Sequence, residues 1–506
     1  VYTILMIMFV YKTGIPAMDD QELILNAAND LLNNVPDMWD KGAYCYRFPN
    51  QNGFVLFVAL GLKMFGADNQ MVFQYLNIPM LILSSFCLSK TIYLLFNDKK
   101  LARYSYILLL GFFQLNCYVT FVYGTLYGLA ASVAGIFLLI KYFKKRNIVN
   151  GLVGISLLSI GYGFKSNYLI MIVAACLLLL FDAIVKKSLK SVITLVWGIV
   201  FYVIITTSIS STIYHLTGKK VDEGTPWVAM GLQESYKAPG WWNGYNAKVF
   251  ADNEYDIPKT KEAISQNISE RMKELKKDKD YTMSFFSKKT ASQWSEGTFE
   301  CFYITNLDRG RLSNPTWTDS VKNLMVDGHS ANRAVTTICN YFIVFLWLGI
   351  ILFLIFDFRK LDAYKLIFAI TFIGGFLFHL VWEAKGQYTI IYAYLMIPYM
   401  LRGYQLLLRR VCNISLGEKE AKEKRGTIIP VVVIALVVIV IGISNNKVVN
   451  ETIKLNGDKE RYESYMSHQV DDLDDGYYTI IPANDSSVTL AGLIGNDKKY
   501  SDKFVV

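Results

Sequence analysis

Apolar runs of about twenty residues recur along this chain, parted by short basic turns; 71–96 and 191–214 are two of them. A helix of that length crosses the ~30 Å hydrocarbon core of a bilayer, and only helices and closed barrels satisfy their own backbone there. The expected fold is therefore an all-α polytopic membrane protein. With 53% hydrophobic residues, 18% charged residues and a mean hydropathy of +0.30, the 506 residues are too apolar for a soluble protein of several domains.

The runs 1–12, 71–96, 104–120, 125–141, 148–163, 167–184, 191–214, 336–357, 364–381, 388–401 and 427–445 give about eleven spans. The opening run is short of a full span and lacks the basic start and cleavage site of a signal peptide, so the chain is expected to open inside its first span. Two shorter segments read as helices lying in the interface. One is the amphipathic stretch from Glu22 to Leu32; the other is 53–65, too short to cross.

The net charge of +9 does not point to nucleic acid, because the basic residues sit between spans on alternate turns. Lys99, Lys100 and Arg103, then Lys141 to Arg146, Lys186 to Lys190, Arg359 to Lys365 and Arg402 to Arg425 fall on one side; the short turns opposite carry only Lys165 and Lys385. The positive-inside rule places the first set in the cytoplasm. The 7 cysteines show neither CxxC nor a metal-ligand spacing. Cys87, Cys117, Cys176 and Cys339 read as small hydrophobes, while Cys45 and Cys301 could both lie outside and are the one candidate pair for a disulfide.

This topology divides the chain into an N-terminal membrane module, 1–214, with a first outer loop at 13–70, a large outer loop, 215–335, a C-terminal membrane module, 336–445, and an outer tail, 446–506. A loop as long as 215–335 exceeds what joining two helices requires, and such loops are usually functional. In the tail, Tyr477 to Ile481 and Ser487 to Leu490 read as short strands, and the run from Asp471 to Asp475 as a solvated acidic turn without the ligand spacing of a calcium loop.

Four groups of outer residues could carry chemistry. Asp19 and Asp20 stand where the first apolar run ends, at the water boundary yet facing anything anchored in the membrane. Asp19 with Glu22 also fits a capping box, which leaves Asp20 unexplained. Lys165 interrupts two apolar runs; it either snorkels or clamps a phosphate. In the late turn, His379 and Glu383 share a helical face beside Lys385 and Tyr388, and with no third ligand nearby they read as a hydrogen-bonded polar corner before a metal pair. Finally, Trp241, Trp242 and Asn243 have a composition suited to sugar rings, or to an interfacial aromatic belt.

The acidic pair after the first span, the interfacial helix led by Pro49 to Phe54 and ending at Met64 to Gly66, and the turn from Trp382 to Tyr388 together resemble the GT-C membrane glycosyltransferases. Within them the chain looks most like the protein-mannosyltransferase-like branch (family 39) that includes aminoarabinose transferases. The resemblance covers about 1–185 and 365–401. It implies transfer of a sugar from a polyprenyl-phosphate donor to a glycan, lipid or protein acceptor on the outer face of a bacterial plasma membrane. It further implies Asp19 as the essential acid with Asp20 at the neighbouring acidic site, and Lys165 and Lys385 on the donor phosphate. His379, Glu383, Tyr388, Trp241, Trp242 and Asn243 are then the candidate substrate contacts. No cofactor is specified, and a divalent cation is compatible with the acidic pair. The segment Asn116 to Tyr127 lacks the carboxylate many relatives have there, and Gln387 stands where relatives often carry Arg. A different class, a transporter or flippase of lipid-linked glycan, would use the same outer aromatics without chemistry.

Overall fold

A computed structural model describes residues 1–66, 69–220, 226–305, 317–326, 328–357, 362–410 and 429–454. Every regular element among them is helical. In chain order they are α1 (Tyr2–Thr13), α2 (Asp20–Asn33), α3 (Tyr44–Arg47), α4 (Asn52–Phe65), α5 (Met71–Phe96), α6 (Lys99–Leu110), α7 (Phe113–Cys117), α8 (Thr125–Lys145), α9 (Ile148–Phe164), α10 (Leu169–Val185) and α11 (Leu189–Thr217). They continue with α12 (Trp227–Gly231), α13 (Tyr245–Asp252), α14 (Ile257–Lys277), α15 (Lys279–Trp294), α16 (Cys301–Thr305), α17 (Asp319–Met325), α18 (Ser330–Asp357), α19 (Ile367–Val381), α20 (Gly386–Arg410) and α21 (Ile429–Lys454). The strands and acidic turn expected in the tail lie outside the described residues.

Among the described residues, seven helical segments are long and apolar enough to cross a membrane: Met71–Phe96, Thr125–Lys145, Ser166–Val185, Leu189–Thr217, Asp319–Asp357, Ala363–Val381 and Val432–Val449. They mark a membrane-embedded protein. Tyr2–Thr13 and Ile148–Phe164 are apolar but shorter. The run 388–401 belongs to the longer α20, which is tyrosine-rich, contains Pro398 and is buried along most of its length.

The expected span 104–120 is not one helix. α6 stops at Gly111, α7 is a single turn, and a 3-10 turn at Tyr118–Thr120 leads into irregular chain up to Gly124. The break is held by side-chain amides that replace the missing helical bonds. Asn77 Nδ2 donates to the carbonyls of Val119 and Phe121, at 3.0 and 3.2 Å, and Gln74 Nε2 to those of Ile15 and Thr120, at 2.8 and 3.2 Å. Asn116 Nδ2 takes up the carbonyl of Leu110. Irregular backbone survives among apolar helices only when so satisfied.

The chain divides into two compact units. The first comprises Val1–Gly224, Gln293–Phe378 and Lys385–Val448; the second comprises Thr225–Ser292 and His379–Ala384, with the chain end from Val449. In the first unit, α8 and α9 approach so closely that a Cβ on Gly135 would lie 2.6 Å from the carbonyl oxygen of Gly154, the small-residue contact that brings helices together in lipid. Short basic turns reverse the chain. Asn97 and Arg146 end their helices in the left-handed conformation, and Asp98 and Asn147 cap the helices that follow.

Helices α2 and α4 pack on each other around Ile24, Ala28, Trp39, Phe54, Val58 and Leu62, with Phe73 of α5 and Tyr127 of α8 closing the cluster. Trp39 Nε1 donates to Asn52 Oδ1 at 3.0 Å. α4 leaves Leu60, Met64 and Phe65 exposed. Cys45 lies in this cluster and Cys301 in the main core, where its neighbour is Cys117; both are free thiols, so the candidate Cys45–Cys301 disulfide is not formed.

Candidate functional site

The first unit gathers Asp20, Lys165, Lys385 and Tyr388 around a tyrosine that sequence reasoning passed over, Tyr123. Asp20 opens α2, and its Oδ2 accepts from the Tyr123 hydroxyl at 2.9 Å. Gln51 Nε2 donates in turn to Tyr123 Oη at 2.6 Å. The fully buried Tyr44 phenol faces the same pair, and burial with the nearby Asp20 charge holds it in its neutral form by raising its pKa well above the usual tyrosine range. The segment carrying Tyr123 is placed by the broken backbone described above, and by Gln21, whose Oε1 accepts from Val122 N–H at 2.7 Å.

Asp19 differs. It is exposed, and its backbone has φ 50° and ψ −130°, a region that residues with a Cβ seldom enter. The capping box expected from Asp19 and Glu22 is not made: the Asp19 side chain gives no cap hydrogen bond.

Lys165 sits in extended chain just past the end of α9. Its ammonium donates to Thr125 Oγ1 at 2.8 Å and lies 4.7 Å from the ring centroid of Tyr123 and 5.9 Å from that of Tyr388. Lys385 lies 5.8 Å from the Tyr388 ring. Desolvation by the surrounding rings pushes the Lys165 ammonium down to about 7; the Lys385 charge adds to that shift and Asp20 opposes it. The approach is close because Gly124, at φ 74°, has no Cβ: one there would lie 2.3 Å from the carbonyl oxygen of Phe164. The turn before α20 is fixed from beneath. Glu300 Oε2 accepts from Gln387 N–H at 3.1 Å, and Tyr118 donates to the carbonyl of Phe299 at 2.7 Å.

A carboxylate, two ammonium groups and a phenol thus converge at helix ends, an arrangement able to orient a hydroxyl and bind an anion. Gln51, Tyr44, Tyr123 and Thr125 were missed because neutral residues carry neither charge nor a spacing that marks them. The clue lay in Gln74 and Asn77, amides in an apolar run that must have had backbone to satisfy.

The other candidates belong to the second unit. His379 and Glu383 are fully buried, beside a third buried group absent from the sequence reading, Lys289. Lys289 Nζ donates to the carbonyls of Leu380 at 3.0 Å and Trp382 at 2.8 Å, and also to that of Gly231. Burial pushes its ammonium down to about 7 against the pull of Glu383. Two of the three acceptors lie at the end of α19 and the third ends α12, which makes Lys289 a lock on this corner. Among the described residues no group of three or more His, Cys, Asp and Glu could hold a metal ion.

Nor do Trp241 and Asn243 present a sugar platform. Trp241 is buried with Nε1 on Ser292 Oγ at 2.7 Å, and Asn243 Nδ2 is committed to Gln233 Oε1 and the Glu234 carbonyl at 2.8 and 3.0 Å. Trp242 remains exposed, its Nε1 on Asn246. No family model, no curated protein and no solved structure matches the chain.

Proposed function

We propose that this protein is an integral membrane glycosyltransferase that moves a sugar from a polyprenyl-phosphate donor to an acceptor hydroxyl on the outer face of the membrane. The observation that carries this reading is the convergence of Asp20 with Lys165 and Lys385 at the ends of apolar helices. Asp20 accepts the proton of the acceptor hydroxyl, whose oxygen bonds to the anomeric carbon as the bond from that carbon to the phosphate oxygen breaks. The charge gathering on the leaving phosphate is met by Lys165 and Lys385. Tyr123 and Gln51 fix the carboxylate, and Asp19 stands beside it toward solvent. The apolar surface that α4 exposes at Leu60, Met64 and Phe65 suits a helix lying in the interface, where a polyprenyl chain would pass.

The test is transfer or hydrolysis of labelled polyprenyl-phosphate sugars by the protein in nanodiscs. Asp20→Asn is expected to lose about a hundredfold or more in turnover, as the loss of a general base does, and Asp19→Asn much less. Full activity of Asp20→Asn would sink the assignment. The broken backbone between α6 and α8 favours a second reading, a flippase, since transporters build their sites on interrupted helices. Movement of lipid-linked sugar between leaflets with no turnover on any donor would decide for it.

A further inference from the structure

Beyond that reading, and independent of it, we infer that the α8–α9 and α10–α11 turns of the first unit together form a binding site for the headgroup of an anionic phospholipid. The apolar segments Thr125–Lys145, Ser166–Val185 and Leu189–Thr217 end or begin at these turns, so the residues beside their ends stand at headgroup depth. Only Lys186, Lys187 and Ser188 separate α10 from α11. Lys187 takes the left-handed conformation, φ 48°, and Ser188 N–H bonds back to the Ala183 carbonyl at 3.2 Å, which makes the turn a tight one.

A buried knot ties the two turns together. Asp182, 5% exposed, accepts from both terminal guanidinium nitrogens of Arg146 and from Ser191 Oγ. Tyr142 Oη lies 2.6 Å from the same serine, and Lys190 Nζ donates to the Arg146 carbonyl at 3.1 Å. The knot also consumes the local negative charge. Lys186 reaches Asp182 at 3.3 Å, whereas Lys145, Lys187 and Lys190 form no ion pair among the described residues. Lys145, Lys186, Lys187 and Lys190 are all exposed. Four ammonium groups thus surround one ion pair whose charges already cancel, on turns that need no ordering before an anion arrives.

The surroundings select a lipid among anions. Ile184, Val185 and Leu189 flank the lysines and are 68, 59 and 70% exposed. A soluble phosphate would leave this apolar surface as it is. A phospholipid covers it with acyl chain while its phosphate meets the lysines, the pairing by which basic sites between membrane helices hold acidic lipids. A zwitterionic headgroup would bring a cation of its own against four ammonium groups and gain less.

The experiment is native mass spectrometry of the full chain in detergent, titrated with phosphatidylglycerol or phosphatidylcholine, with glycerol phosphate as a competitor that has no acyl chain. Phosphatidylglycerol is expected to bind in preference, and glycerol phosphate not to displace it. The triple variant Lys186→Gln, Lys187→Gln, Lys190→Gln should weaken it about fivefold for each lysine removed. The triple variant Lys99→Gln, Lys100→Gln, Arg103→Gln removes as much charge from another exposed turn and should weaken it far less. Ile184→Ser with Leu189→Ser, both at exposed positions, should weaken it as well. Asp20→Asn should leave lipid binding unchanged, so failure of the transfer reading does not touch this one. Equal binding of phosphatidylcholine, displacement by glycerol phosphate, or an equal loss from the two triple variants would overturn the inference.

Discussion

Asp19 and Asp20 are adjacent and chemically identical, yet one is exposed on a strained backbone and the other is drawn into a bonded set with Tyr123 and Gln51. Position along a chain does not separate such neighbours; backbone dihedrals do. The same holds for the two lysines. Lys165 owes its low value first to burial and then to Lys385, so it carries charge below about pH 7 and loses it as pH rises through that value. Donor affinity, read as KM for the polyprenyl-phosphate sugar, should therefore fall about tenfold for each unit above that point, and Lys165→Arg, charged throughout, should flatten the profile. Lys289 has a different task. Lys289→Met leaves Glu383 buried without its cation and is expected to cost about 3 kcal/mol or more of stability, seen as a lower unfolding temperature in detergent, with Glu383→Gln acting in the same direction.

Between elements, the decisive contacts are made by residues with little or no side chain. α8 and α9 meet through Gly135 and Gly154, and α4 meets α9 where a Cβ on Gly53 would lie 2.0 Å from the carbonyl oxygen of Gly163. Gly154→Leu must push α8 away and should cost about 1–3 kcal/mol, the usual cost of overpacking, whereas Val153→Leu on the exposed side of the same helix should leave the unfolding temperature in place. The broken segment between α6 and α8 gives the opposite lesson. Its apolar composition reads as a span, but apolarity reports only that a segment leaves water. Whether it then forms a helix depends on what satisfies its carbonyls, and here Gln74 and Asn77 of another element do so.

For the whole molecule, the orientation inferred from the basic turns can be checked by thiol labelling, because Cys45, Cys87, Cys117, Cys301 and Cys339 are buried and give little background. In a chain carrying Cys176→Ser and Cys412→Ser, a membrane-impermeant reagent is expected to label Asn34→Cys in intact cells and to reach Lys187→Cys only after permeabilisation; the reverse pattern would invert the topology. The sequence by itself determined that the chain is helical and membrane-embedded, because run length and hydropathy are summed along the chain and need no knowledge of neighbours. It also singled out Asp19 as the acid with Asp20 beside it, and Lys165, Lys385 and Tyr388, since polar groups beside apolar runs are conspicuous in one dimension. Only the tertiary structure decided which of these meet, that His379, Glu383 and Trp241 belong to another unit, and that Tyr123, Gln51 and Lys289 complete the two clusters. Burial and hydrogen-bond partnership are properties of pairs distant in sequence, and neither local periodicity nor composition carries them.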